Sequence, residues 1–148
     1  MSLGRNLLRG LMGKKPPVGA TVPAMQGTRG NASSWHTTDP ATAATYGDVT
    51  PTQVPLGRSF SLDAGGVNHT DIPVSAIKNK KIRRYLEKNK YSGLPENKSL
   101  ARYSSDDIAE AAEQLGFNSV EFRNLIDGLD YMDNVGPSTV YRTLSPKQ

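Results

Sequence analysis

Three observations predict a small α+β domain with a mostly antiparallel sheet and short helices, preceded by an extended basic arm. Apolar residues alternate at a period of two over short runs, at Val54, Leu56, Phe60 and Leu62 and again at Val120 and Phe122, which is the strand pattern. Capping residues open short helical stretches at Asp39-Pro40 and at Ser104-Ser105-Asp106-Asp107. The first 34 of the 148 residues carry five basic and no acidic side chains and are rich in glycine and proline. Short strands interspersed with short helices fit an α+β layer architecture.

Taken in order, residues 1–20 read as a basic arm and residues 21–148 as the domain. Leu3, Leu7, Leu8 and Leu11 against Arg5 and Arg9 suggest a short amphipathic helix over 2–12. From Gly13 to Ser34, seven of twenty-two residues are Gly or Pro, so the stretch buries little apolar area against its ordering entropy. A partner protein or larger assembly is expected to hold residues 1–34.

Trp35–Thr38 reads as a short strand. Asp39 caps a helix, Pro40 suits its first position, and Ala41, Ala43 and Ala44 carry it to Tyr46 before Gly47 stops it. Residues 52–63 read as one broken strand, whose prolines suggest a sheet edge. Ala64-Gly65-Gly66 is a turn. Residues 75–90 read as a basic helix with a thin apolar stripe of Ile77, Ile82, Tyr85 and Leu86, and residues 91–103 as loop. Ile108, Ala111, Ala112 and Leu115 mark the clearest helix, which Gly116 ends. A strand over Val120–Leu125, an Asp127-Gly128 turn and a last strand at Val140–Leu144 complete the domain.

Eighteen Lys and Arg against fourteen Asp and Glu give a formal charge of +4, laid out in blocks. The net is +5 over 1–34, −3 over 35–75, +7 over 76–103 and −5 over 104–148. No apolar run approaches the roughly 18 residues of a membrane span. Arg5 and Arg9 interrupt the only apolar stretch that could serve as a secretory signal. The absence of cysteine excludes disulfides, thiolate zinc sites and a cysteine nucleophile, and accords with a reducing cytoplasm. His36 and His69 are the only histidines, with no HExxH, EF-hand, Walker or GxGxxG pattern, so no metal site is expected.

Three segments together carry a family resemblance. They are Met25-Gln26-Gly27-Thr28, then Trp35-His36-Thr37-Thr38-Asp39-Pro40 running to Tyr46, and the acidic helix from Ser105 to Phe117 running into Val120–Asp127. The tail Pro137-Ser138-Thr139-Val140-Tyr141 adds to them. In this order they resemble the ADP-ribosyltransferases, most of all the small version in phage polyvalent proteins, over residues 21–148. The resemblance implies NAD as the donor, transfer of ADP-ribose to a protein acceptor, and a location in the phage virion or host cytoplasm.

It also implies roles. Cleaving the nicotinamide–ribose bond leaves an oxocarbenium-like sugar, so such a site holds nicotinamide between flat faces, anchors the ribose and offers a carboxylate. Gln26 stands at the His/Arg position of the family; it can bond a ribose hydroxyl but supplies no charge, and Arg29 lies three residues on. Gly27, Thr28, His36, Thr37 and Tyr46 would line the NAD site, with His36 and Tyr46 flanking nicotinamide. Trp35, His36 and Tyr46 are equally explained by ordinary packing around a short helix.

Two registers leave the acid open. Ser119-Val120-Glu121-Phe122 resembles the glutamate strand of diphtheria-type toxins and makes Glu121 catalytic. The polyvalent register makes Ser138-Thr139-Val140 the functional strand, which has no acid. If Val120 and Phe122 face inward, Glu121 points to the other face, and its plain reading is a solvated surface glutamate. Asp127 is the fallback acid, although a turn explains an Asp-Gly pair.

Two other functions compete. A structural or assembly component of a phage particle could keep the fold without the activity. A nucleic-acid-binding protein would use the basic stretch 76–91 through Lys78, Lys80, Lys81, Arg83 and Arg84, with Tyr85 and Tyr91 nearby. The −5 segment could instead pair with this helix inside the fold.

Overall fold

The computed structural model describes residues 21–27, 35–90, 100–127 and 136–145. The arm, Thr28, Arg29, Tyr91 and Gly128 lie outside the described residues. Within them the fold is α+β with a mainly antiparallel sheet, as expected. Strands β1 (Thr21–Gln26), β2 (Trp35–Thr37), β3 (Thr50–Pro55), β4 (Ser59–Asp63), β7 (Ser119–Leu125) and β8 (Ser138–Thr143) form one sheet in the order β3-β1-β2-β8-β7-β4. All its neighbours run antiparallel except β4 and β7. Two short strands, β5 (Ile72–Pro73) and β6 (Arg102–Tyr103), pair separately. The helices are α1 (Pro40–Ala44), α2 (Lys80–Asn89) and α3 (Ser105–Gln114). Among the described residues, no helix is long and apolar enough to cross a membrane.

The sheet is curled, and its connectivity requires it. β3 and β4 are the two edges, yet only Leu56, Gly57 and Arg58 join them. Four Cα steps reach at most about 15 Å, whereas five strand spacings across a flat sheet measure about 24 Å. The connector closes over β7: the Ser119 hydroxyl donates to the Leu56 carbonyl at 2.6 Å, and the Arg58 amide donates to Asn118 Oδ1 at 2.8 Å. Gly57 permits this passage, because its φ is +53° and a Cβ there would lie 2.6 Å from the Asn118 side chain.

Curling divides the core. Val22, Ala24, Val54, Leu56 and Tyr141 pack inside the curl. The larger cluster fills the other face, where Phe60, Leu62, Val120, Phe122 and Val140 meet Ile82 and Leu86 of α2 and Ile108, Ala111 and Ala112 of α3.

Three expectations are corrected here. The broken strand over 52–63 is two strands at opposite edges; the prolines of β3 do mark an edge, since proline cannot donate to a ladder. The basic helix begins at Lys80, because Asn79 Oδ1 accepts from the Lys81 and Ile82 amides and so caps it there. Val74–Ala76 ahead of it is a separate 3-10 turn, and Ile77 is fully buried in the link. Within the expected loop 91–103, Arg102–Tyr103 is a strand.

Candidate functional site

The site is built on the short passage from β2 into α1. The Thr37 hydroxyl accepts from the Asp39 amide at 3.1 Å and shares a 2.9 Å bond with the Ser138 hydroxyl of β8. Asp39 then caps α1. Its carboxylate accepts from the Ala41 and Thr42 amides, both at 3.2 Å, and from the buried Thr42 hydroxyl at 2.8 Å. Thr37 is thereby a pin that fixes the helix entry, with its hydroxyl already engaged.

α1 lies hard against the end of β1. A Cβ on Gly27 would sit 2.4 Å from Tyr46 Cβ and 2.6 Å from the Ala43 carbonyl oxygen. Only glycine allows that approach. It sets Tyr46, which follows α1, beside the strand.

Gly27, His36, Thr37 and Tyr46 line one recess together with Asp127, with Trp35 and Val140 beneath them. The recess encloses ≈ 10 Å³, room for no more than one water molecule. Trp35 is held from behind: the Arg142 guanidinium lies 4.7 Å from its ring centroid, and Arg142 Nη1 stands 3.4 Å from Asp106 Oδ1. Phe122 packs on Trp35 at 6.1 Å between centroids.

Asp127 is the acid of this recess, not merely the first residue of a turn. Strand-like bonds pin the residue before it, with the Ile126 amide donating to the Val67 carbonyl at 3.0 Å and the His69 amide to the Ile126 carbonyl at 3.0 Å. Asp127 is only 7% exposed, and its carboxylate accepts from the Tyr46 hydroxyl at 3.2 Å. Burial pushes its carboxyl up to about 6, with His69 and the Tyr46 bond pulling the other way and Asp106 adding to the rise. Burial, and then the Asp127 charge, raise the Tyr46 phenol above its ordinary value, so it remains a proton donor.

The remaining expected residues lie elsewhere or are differently engaged. His36 is buried and shares a 3.0 Å bond between Nδ1 and the Thr52 hydroxyl; burial lowers its pKa, which keeps the imidazole neutral near pH 7. It faces Tyr141 across β8, and Tyr141 faces Glu121 across β7. The pairing of Met25 with Thr37 puts Gln26 in the same row. Directly opposed residues share a sheet face, so Glu121 belongs to the inner face. Trp35, Thr37 and Val140 beneath the recess lie on the other.

Glu121 points away from Val120 and Phe122, as its spacing predicts, but it is not a solvated surface glutamate. It is 6% exposed, because the curl folds Ser61 and Tyr141 around it. Oε1 accepts from the Ser61 hydroxyl at 2.8 Å and lies 3.6 Å from Arg123 Nε, and the Tyr141 hydroxyl donates to the carboxylate.

Sequence reasoning missed His69 as a neighbour of Asp127, and no local signal could have revealed it. In the sequence Asp127 reads as a fallback acid, because the Asp-Gly pair carries its own turn explanation. Comparison with protein-family models, with curated proteins and with solved structures finds no match for this chain.

Proposed function

We propose that the recess is the nicotinamide end of an NAD site of the ADP-ribosyltransferase kind, with Asp127 as its carboxylate. The observation that carries this reading is convergence. Gly27 from one resembling segment, Thr37 and Tyr46 from a second, and a buried acid from a third meet at one recess, while the His36 imidazole turns to the inner face and bonds Thr52. NAD would supply the glycosidic bond to be broken. The chain's own groups supply the rest. Tyr46 offers a flat aromatic face, Gly27 brings bare backbone to the rim, and Asp127, ionised above about pH 6, offsets positive charge developing on the sugar. The recess holds only a water, so this reading requires Tyr46 to leave its bond to Asp127 for a ring to enter. The same motion frees the carboxylate.

A non-catalytic scaffold is the second reading. It is favoured by a recess too small for a nicotinamide ring and by Gln26 standing where a charged residue is expected. Thermal shift with NAD, and label transfer from labelled NAD to a cell lysate, separate the two. At a hundredfold excess over Kd, NAD should stabilise the chain by about 2.7 kcal/mol. The shift should persist in Glu121→Gln and vanish in Tyr46→Ala and Asp127→Asn. A shift without label transfer marks a chain that binds NAD but does not transfer ADP-ribose; the absence of both refutes the NAD site and supports the scaffold.

A further inference from the structure

We propose that the outer face of α2 is a docking ridge for the phosphate backbone of nucleic acid. Lys80, Arg84 and Lys88 stand four residues apart along one side of the helix, with Lys81 beside them, and all four are exposed. Their spacing along the axis is about 6 Å. The charge layout offered α3 as an internal partner for this helix. α3 does pack against α2, but it supplies one ion pair, Lys90 with Glu110. Among the described residues, no carboxylate oxygen lies within 4.0 Å of the charged nitrogens of Lys80, Lys81, Arg84 or Lys88.

Helix physics opposes this arrangement. The first turn of α2 has no acid and carries Lys80, Lys81 and Arg83, so cations sit at the positive end of the helix dipole. Like charges four residues apart repel. α3 follows the ordinary rule, with Asp106 and Asp107 in its first turn. Glu87 is the one acid on α2, and among the described residues neither it nor any other carboxylate pairs with these four cations; a surface that departs from local rules in this way marks a place kept for a partner.

The chemistry of the ridge selects that partner. Lys78, outside the helix, donates to the Ser75 carbonyl at 2.9 Å, and Arg83 is half-buried. Tyr85 packs against the core and so does not offer its ring to bases. Val49 and Leu100, the exposed large hydrophobics among the described residues, lie off the helix. The ridge therefore lacks the apolar face with which a helix enters a membrane surface and the apolar centre of a protein interface. Phosphates need neither, and contacts to phosphates alone carry no sequence preference.

The full chain titrated with a labelled mixed-sequence DNA duplex of about 20 base pairs, over about 50 to 200 mM NaCl, tests this. Four phosphate contacts predict a log–log slope of about −3.6, a loss of about 10²-fold across that range. The triple change Lys80→Glu, Arg84→Glu and Lys88→Glu should bring the slope to about −1 while the melting temperature holds or rises, since the repulsion is relieved. The same charge change in the arm, Arg5→Glu, Arg9→Glu and Lys14→Glu, should leave the slope in place. Equal losses in both triple variants, no duplex binding at the lowest salt, or competition by polyglutamate as strong as by DNA would overturn the assignment.

Discussion

Replacing Asp127 by asparagine tests the electrostatics of the recess without requiring its ligand. The carboxyl moves from its ordinary 3.8 to about 6 on folding. At 1.36 kcal/mol per pH unit, holding it ionised in the fold costs about 3 kcal/mol. The sign follows from linkage. Between about pH 4 and pH 6 the folded chain binds more protons at this site than the unfolded chain. Its contribution to stability is therefore full at low pH and is lost as pH rises through that window. Asparagine keeps an oxygen to accept the Tyr46 proton but cannot ionise.

Asp127→Asn should accordingly match the parent near pH 4 and exceed its stability by about 2–3 kcal/mol at pH 8. His36 acts in the opposite sense. Burial lowers its pKa below 6.5, so its contribution is lost as pH falls through that region and masks part of the parent's profile. The informative quantity is the difference between variant and parent, measured by urea unfolding at a series of pH values. A difference that stays flat with pH, or a variant less stable than the parent at pH 8, would refute the account of Asp127.

Two further predictions concern the frame around the recess. Gly27→Ala puts a methyl 2.6 Å from the Ala43 carbonyl oxygen, which is backbone and cannot swing aside; it should cost about 1–3 kcal/mol by urea unfolding and abolish any NAD-dependent thermal shift. Glu121→Ala strands the Ser61 and Tyr141 hydroxyls in a buried site and should cost about 2–3 kcal/mol, whereas Glu121→Gln retains an acceptor and should cost about 1 kcal/mol or less. Full loss of label transfer in a well-folded Glu121→Gln protein would restore Glu121 as the catalytic acid.

What the sequence determined by itself was set within a few residues of chain. Asp39 and Ser104 cap their helices because the amides they accept from are two or three positions away. Gly47 and Gly116 end helical segments at φ of +112° and +88°, as glycine permits. The period of two was enough to turn Glu121 away from Val120 and Phe122. Even so, a run of lysines hid the cap at Asn79, because charge extends across a helix boundary that one side chain decides.

Tertiary structure decided the rest. β3 and β4 sit at opposite edges only because a three-residue connector and an inner apolar cluster curl the sheet. That same curl, not any property of its own strand, buries Glu121. Asp127 becomes the acid of the recess through Tyr46, 81 residues distant, and through the Val67–His69 segment that pins its strand. Burial and pKa are sums over neighbours in space, and this fold draws those neighbours from segments far apart in the chain.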